Sequence, residues 1–306
     1  MDRQTDMLPD ATGVDDGWLE PKSRRLDLKT GLGCHLLEWD EAPERPDHTL
    51  ILIHGFLDTA WSWVPAVSAG LAERFHVVAP EMRGHGDSDR VGAGGYYHFL
   101  DYLADLHEIV GLIGRERVSL VGHSMGGTIA GYYAGAYPGA VDRLALLEGI
   151  GPPEPSTPMP ERIRGWLAGW RRVRGHDRSS YESVAEAAAR LGGRDPVMDV
   201  ALARRLAERA TFRGDDGRYR FKHDPLHLSM GPYPFRVDLA QELWREVACP
   251  VLLVDGSETS LVLPPEDRAR RVGSFRDARE VTLDGAGHMM QRHRPSELAE
   301  ILLSFL

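Results

Sequence analysis

The sequence predicts an α/β protein: a mostly parallel sheet with helices packed on both faces. Three observations carry that reading. Short, almost wholly apolar runs recur at 49–53, 75–79, 118–121, 143–147 and 250–254, and such runs belong to strands covered on both faces. Between several of them lie longer segments with helical periodicity, the alternation expected of a layered α/β unit. The run Val118-Ser-Leu-Val121 passes directly into Gly122-His-Ser-Met-Gly126 and then into an Ala/Gly/Tyr-rich helical stretch ending before Pro138. That is strand, tight turn and helix, with Ser124 at the tip of the turn. A side chain at 122 or 126 would collide with the neighbouring strand or helix, so both positions call for glycine.

In order, residues 1–22 read as a polar, Asp-rich leader without the apolar stretch of a signal peptide. Two short strand-like runs flank Lys29-Thr-Gly-Leu-Gly33, a hairpin signal over 24–38. The strand at 49–53 ends in His54-Gly55-Phe56. Residues 60–73 read as a helix whose Trp61, Trp63 and Val67 face the core. The strand at 75–79 leads into the turn-rich loop 80–89, and a helix over 96–113 precedes the strand before Ser124. A leucine-rich strand from 143 ends on Glu148. Residues 151–246 change in character: prolines at 152, 153, 155, 158 and 160, then amphipathic Arg- and Ala-rich segments with no buried strand run. The strand pattern resumes at Pro250, and 278–283 is the last strand. The loop Asp284-Gly-Ala-Gly-His288 follows, and an amphipathic helix over 295–306 closes the chain.

The turn at Gly122–Gly126, in this setting, resembles the Gly-x-Ser-x-Gly nucleophile elbow of the α/β-hydrolase family. The resemblance implies an eight-stranded, mostly parallel sheet with a helical cap inserted after the sixth strand. Residues 23–150 and 247–306 would form the core and 151–246 the cap. It implies Ser124 as nucleophile and His288, in the glycine-rich loop after the last strand, as general base. The backbone N–H groups of Phe56 and Met125 would form the oxyanion hole. Pro80-Glu-Met-Arg-Gly-His-Gly-Asp-Ser-Asp89 resembles a loop of the epoxide hydrolase and haloalkane dehalogenase branches, with Glu81 where Asp is usual. His85, Asp87 and Asp89 are metal-ligand residue types, but in so turn-rich a loop they read as scaffolding. Many family members carry the triad acid in a Gly-x-x-Asp pattern after the seventh strand. Here that position is Thr259, which leaves Glu148 as first choice, Glu258 as the alternative and Asp255 as a third.

A serine at the elbow points away from epoxide and haloalkane chemistry, which uses a carboxylate there. The expected activity is hydrolysis of a carboxylic ester or lactone of a small hydrophobic substrate. Carbon–carbon hydrolysis of a diketone-type substrate by the same triad is an alternative, as is a ligand-binding protein on the same scaffold. Aromatic residues of the cap (Trp166, Trp170, Phe212, Tyr219, Phe221, Tyr233, Phe235 and Trp244) are candidates for lining an acyl pocket. The chain of 306 residues has 36 Lys and Arg against 46 Asp and Glu, a formal charge of −10. That balance argues against a nucleic-acid partner, and an Arg cluster at 162–174 reads as a solvated helix face. Cys34 and Cys249 have no metal-ligand spacing and read as buried free thiols. No apolar run reaches membrane-span length, a cytoplasmic enzyme is the default, and no metal or organic cofactor is indicated. The sequence is silent on oligomeric state.

Overall fold

The computed structural model describes residues 17–154, 156–175, 179–229 and 231–306. The leader as far as residue 16, and Pro155 of the proline-rich stretch, lie outside the described residues. The main sheet has eight strands, β1 (Lys22–Asp27), β2 (Gly33–Trp39), β3 (Arg45–Ile53), β4 (Phe75–Pro80), β5 (Arg117–His123), β6 (Arg143–Leu147), β9 (Val251–Gly256) and β10 (Ala278–Leu283). Their spatial order is β1-β2-β4-β3-β5-β6-β9-β10. Strands β1, β2 and β4 pair antiparallel in sequence, and every other neighbour is parallel. This is the expected α/β-hydrolase fold, and the predicted hairpin is the β1–β2 pair.

Register explains why the chemistry collects at one edge. Ile53 pairs with Gly122, His123 with Leu147, Leu147 with Val254, and Leu283 with Gly256. Five parallel strands therefore end side by side, and the loops after them carry Phe56, Ser124, Glu148, Thr259 and His288. Open parallel sheets present their ligand sites at this carboxyl edge.

Alternation of side chains sorts the core into two layers. Ile51, Ile53, Leu120, Leu144 and Leu253 pack on one face, under the helices Phe99–Ile113 and Met125–Ala136. Leu50, Leu52, Val121, Leu147 and Val254 pack on the other, under the helix Pro295–Phe305 and the turns at 60–74. Trp61 and Trp63 lie in this second layer, as read from the sequence. The stretch 60–74 is not one regular helix, however. It is a succession of 3-10, α and π turns, and Gly70 at φ +118° breaks it. Both cysteines are free and buried, and burial pushes the thiols up, Cys34 to about 12 and Cys249 to about 11.

Between β6 and β9 the chain leaves the sheet. It forms the helices Met159–Gly175, Val184–Gly192 and Val200–Ala210, a small antiparallel pair β7 (Thr211–Arg213) and β8 (Tyr219–Phe221), and a 3-10 turn at Pro225–Leu228. The next helix, Val237–Glu246, falls within the stretch that the sequence assigns to the cap, but it packs on the sheet-flanking helix Met125–Ala136. Trp244 is fully buried in the first core layer. A Cβ at Gly135 would lie 2.1 Å from the Leu243 carbonyl oxygen. This close approach seats the helix as an ordinary crossover element.

Arg271 fixes the point where the chain departs. Its side chain is fully buried, and it donates to the carbonyls of Ile150, Gly151 and Pro152 at 2.8, 2.9 and 2.9 Å and to Asp267 at 2.6 Å. Removing such a cation strands three carbonyls and leaves Asp267 only its pair with Arg270. Arg271→Met is therefore expected to lower folding stability by about 3 kcal/mol, measured by urea denaturation at neutral pH.

Candidate active site

Strand β5 runs into a turn in which Ser124 takes φ +52°, ψ −115°, a conformation that side-chain-bearing residues rarely adopt. Its cost is met by tight packing. A Cβ at Gly122 would fall 2.4 Å from the Gly126 carbonyl oxygen, and one at Gly126 would fall 2.3 Å from that of Ile53. Ser124 N–H donates to the Leu147 carbonyl at 2.9 Å. The serine side chain opens onto a cavity.

Three donors converge on Glu148, directly after β6 and itself at φ +46°. His288 Nδ1 lies 2.6 Å from Oε2, Thr259 Oγ1 donates to Oε2 at 2.8 Å, and Gly256 N–H donates to Oε1 at 3.1 Å. Burial opposes ionisation of this carboxyl, but the hydrogen bonds from His288, Gly256 and Thr259 outweigh it and hold it below the usual carboxylate range. A carboxylate only accepts, so His288 carries a proton on Nδ1, and in the neutral ring Nε2 is the nitrogen with the lone pair. The backbone of His288 is tied to the elbow as well: its carbonyl lies 2.8 Å from His123 Nε2, and the two rings are 4.6 Å apart.

The other two carboxylates stand apart. Glu258 is exposed, its backbone N–H bonded to the Ala286 carbonyl, and Asp255 is held by Arg268. Among the described residues, Glu148 alone of the three meets His288.

The turn at Gly55 presses on the elbow. A Cβ there would lie 2.7 Å from His123 Nδ1 and 3.3 Å from the Ser124 Cβ. Among the described residues the N–H groups of Phe56 and Met125 have no hydrogen-bond partner. The Met125 N–H also opens the helix Met125–Ala136, whose dipole favours negative charge. His85 braces the same turn: its Nε2 accepts from Leu57 N–H at 3.2 Å, while Nδ1 bonds the Arg83 carbonyl.

The remaining loop acids have separate partners, Asp87 with Lys222 at 2.6 Å and Asp89 with Arg25 at 2.6 Å. His35, Glu81 and Asp87 do offer donor atoms within 4.8 Å of one another. His35 Nδ1 is hydrogen-bonded to Glu81 at 2.9 Å and Asp87 is paired to Lys222, so the group reads as a polar network.

Above Ser124 lies a cavity of about 1890 Å³ with mostly apolar walls. Of the aromatic candidates, Tyr233 and Phe235 line it. Trp166 and Trp170 stack on each other, and Phe221 packs against Tyr181. More of the wall comes from Tyr96, Tyr97, Phe99 and Tyr102, which the sequence reading did not single out. Their signal was present as the dense run Tyr96-Tyr-His-Phe-Leu100 before a helix. Sequence reasoning also missed the short helix Met290–His293. Arg292 pairs with buried Asp58 and bonds Ser62, and Gln291 Nε2 contacts Asp58 at 3.3 Å and His123 at 3.4 Å.

Comparison with known proteins agrees with this architecture. The alpha/beta hydrolase fold family matches residues 48–295. An uncharacterised protein of Mycobacterium tuberculosis is 40% identical over 102 residues, 33% of this chain and 29% of that protein's length. Epoxide hydrolase A of the same organism is 26% identical, covering 87% of this chain and 92% of its own. The thioesterase domain from the curacin biosynthetic pathway superposes with a TM-score of 0.80 at 25% identity, over 94% of this chain and all of that domain. Among the described residues no helix is long and apolar enough to cross a membrane.

Several histidines around the site are buried and, among the described residues, form no ion pair within 4 Å. His54, His85 and His227 form a cluster, with His85 4.9 Å from His54 and 4.3 Å from His227. Burial, reinforced by the neighbouring imidazoles, drives His85 well below its ordinary value. Burial likewise takes His123 to about 3 and His227 to about 4. The folded chain then refuses protons that the unfolded chain accepts below about pH 6.5. Stability is expected to fall as pH drops from 6.5 towards 4, by about 1.4 kcal/mol per pH unit for each such histidine. Urea midpoints at stepped pH measure the slope, and a flat profile would contradict neutral burial.

Proposed function

The chain belongs to the alpha/beta hydrolase fold family, and on that premise we propose that it is a serine hydrolase of carboxylic esters or lactones. The observation that carries this reading is the Glu148–His288 bond at 2.6 Å, with Ser124 held at the tip of a strained turn after the adjacent strand. In this mechanism His288 Nε2 takes the proton of Ser124 as Oγ attacks the substrate carbonyl. Glu148 fixes the imidazole tautomer and stabilises the imidazolium that forms. The N–H groups of Phe56 and Met125 receive the developing oxyanion, each worth roughly 10²–10³ in rate. His288 then protonates the departing alcohol, and water, activated by the same nitrogen, releases the acyl group and restores Ser124.

The mostly apolar cavity supports a hydrophobic substrate. Its volume of about 1890 Å³ exceeds the roughly 300–1,000 Å³ of common ligand pockets, so it has room for more than the small substrate expected from the sequence. Residues 151–236 would then act as the cap, contributing Tyr233 and Phe235 to the wall.

Intact mass after treatment with a fluorophosphonate tests the nucleophile. One adduct is expected on the wild type and none on Ser124→Ala. Absence of an adduct on the wild type would overturn the serine-hydrolase reading in favour of a ligand-binding role. Given labelling, Glu148→Gln is expected to cut kcat on an aryl ester by about 10⁴, the loss typical when the orienting acid of such a triad is neutralised. Glu258→Gln should leave kcat within about two-fold, because it does not touch the histidine.

A further inference from the structure

Gly287, immediately before His288, donates its N–H to His293 Nδ1 at 3.0 Å. Nδ1 must therefore carry the lone pair, and the ring proton sits on Nε2. That proton is donated to Asp195 Oδ1 at 2.6 Å. Both side chains are buried, 3% and 8% exposed. Asp195 belongs to the insertion, in the turn between the helices Val184–Gly192 and Val200–Ala210, and Met198, which closes that turn, is buried in the second core layer. Among the described residues Asp195 Oδ2 accepts no hydrogen bond, with Arg292 Nη1 3.7 Å away.

We propose that Asp195 and His293 are positioning residues that couple the docking of the insertion to the alignment of His288. This rests on the reading of Ser124 and His288 as nucleophile and base. The physical need is clear from the loop. Glycines at 285 and 287, the first at φ +63°, give the backbone before His288 little stiffness of its own. The carbonyl of His288 is fixed by His123 and its ring by Glu148. Ser257 Oγ and Glu258 N–H hold the loop further back, at Gly285 N–H and the Ala286 carbonyl. The N–H of Gly287, the tether next to His288, ends on a histidine oriented by a residue of the insertion. With Asp195 gone, His293 loses the acceptor that holds its tautomer and ring plane. The Gly287 tether then loosens, and a displacement on the order of 1 Å at a catalytic group can cost up to about 10² in rate.

Three variants separate the possibilities. Asp195→Asn keeps an oxygen for His293 Nε2–H and is expected to retain kcat within about three-fold. Asp195→Ala removes it and should lower kcat about ten-fold with KM little changed. His293→Asn places an amide oxygen close to the former Nδ1, so it can keep the Gly287 bond but not the link to Asp195. It should match Asp195→Ala, and the double variant should be no slower than either single.

Two further readouts distinguish alignment from simple destabilisation. The rate constant of fluorophosphonate labelling, per labelled molecule, should fall with kcat. The far-downfield proton resonance of the His288–Glu148 bond should broaden in Asp195→Ala and persist in Asp195→Asn. A wild type that does not label sinks the serine-hydrolase reading itself. A wild type that labels, with Asp195→Ala and His293→Asn labelling equally fast, sinks the coupling alone.

Discussion

A buried carboxylate sets the terms for the rest of the site. The Glu148 side chain is only 6% exposed, and an ionised carboxyl taken so far from water costs several kcal/mol unless donors replace the lost hydration. Its three donors come from two different parts of the chain: the end of β9 with the residues just beyond it, and the loop after β10. They converge because β6, β9 and β10 are adjacent and in parallel register. The positive φ of Glu148 turns its side chain along this edge instead of onto a sheet face. Sheet order, strand ends and one strained residue are thus all conditions of a single stable anion.

Another buried anion, Asp58, does the same for the opposite side. Burial works against its charge, but Arg292, with help from Ser62, holds it ionised and below the usual range. Asp58 follows the turn that carries Phe56. Gln291, from the same short helix as Arg292, reaches both Asp58 and His123. The turn that carries Phe56, the residue before Ser124 and the loop of His288 therefore share one buried polar network, in which each bond orients the next. A helix of four residues, Met290–His293, is the hub of that network.

What was legible in the sequence follows from what is local. Fully apolar strands announce a parallel sheet, and the glycines at 122 and 126 announce the elbow, because both are consequences of adjacent residues. Glu148 was legible for a related reason: a carboxylate at the end of a leucine strand has no local explanation. The cavity wall was not, since Tyr96 and Tyr233 come to line one cavity only through the tertiary fold, and an aromatic residue carries no mark of whether it faces a void or a core. Trp244 shows the converse, an aromatic of the presumed cap that fills the main core. Nor could the sequence show Gln291, Arg292 and His293 as a unit, because their partners lie up to 234 positions away.

The replacement of the usual acid by Thr259 has a physical logic of its own. Leu147 and Val254 are register partners, so the loops after β6 and β9 open onto the same space, and a carboxylate from either can face the same imidazole. Both cannot do so at once. Two carboxylates within hydrogen-bond distance would repel and push one of them towards its protonated form, which would weaken its hold on the histidine. A threonine resolves the conflict, since its hydroxyl donates to Glu148 at 2.8 Å and brings no charge. The residue at the end of one strand thus supports, without adding charge, the carboxylate at the end of its neighbour.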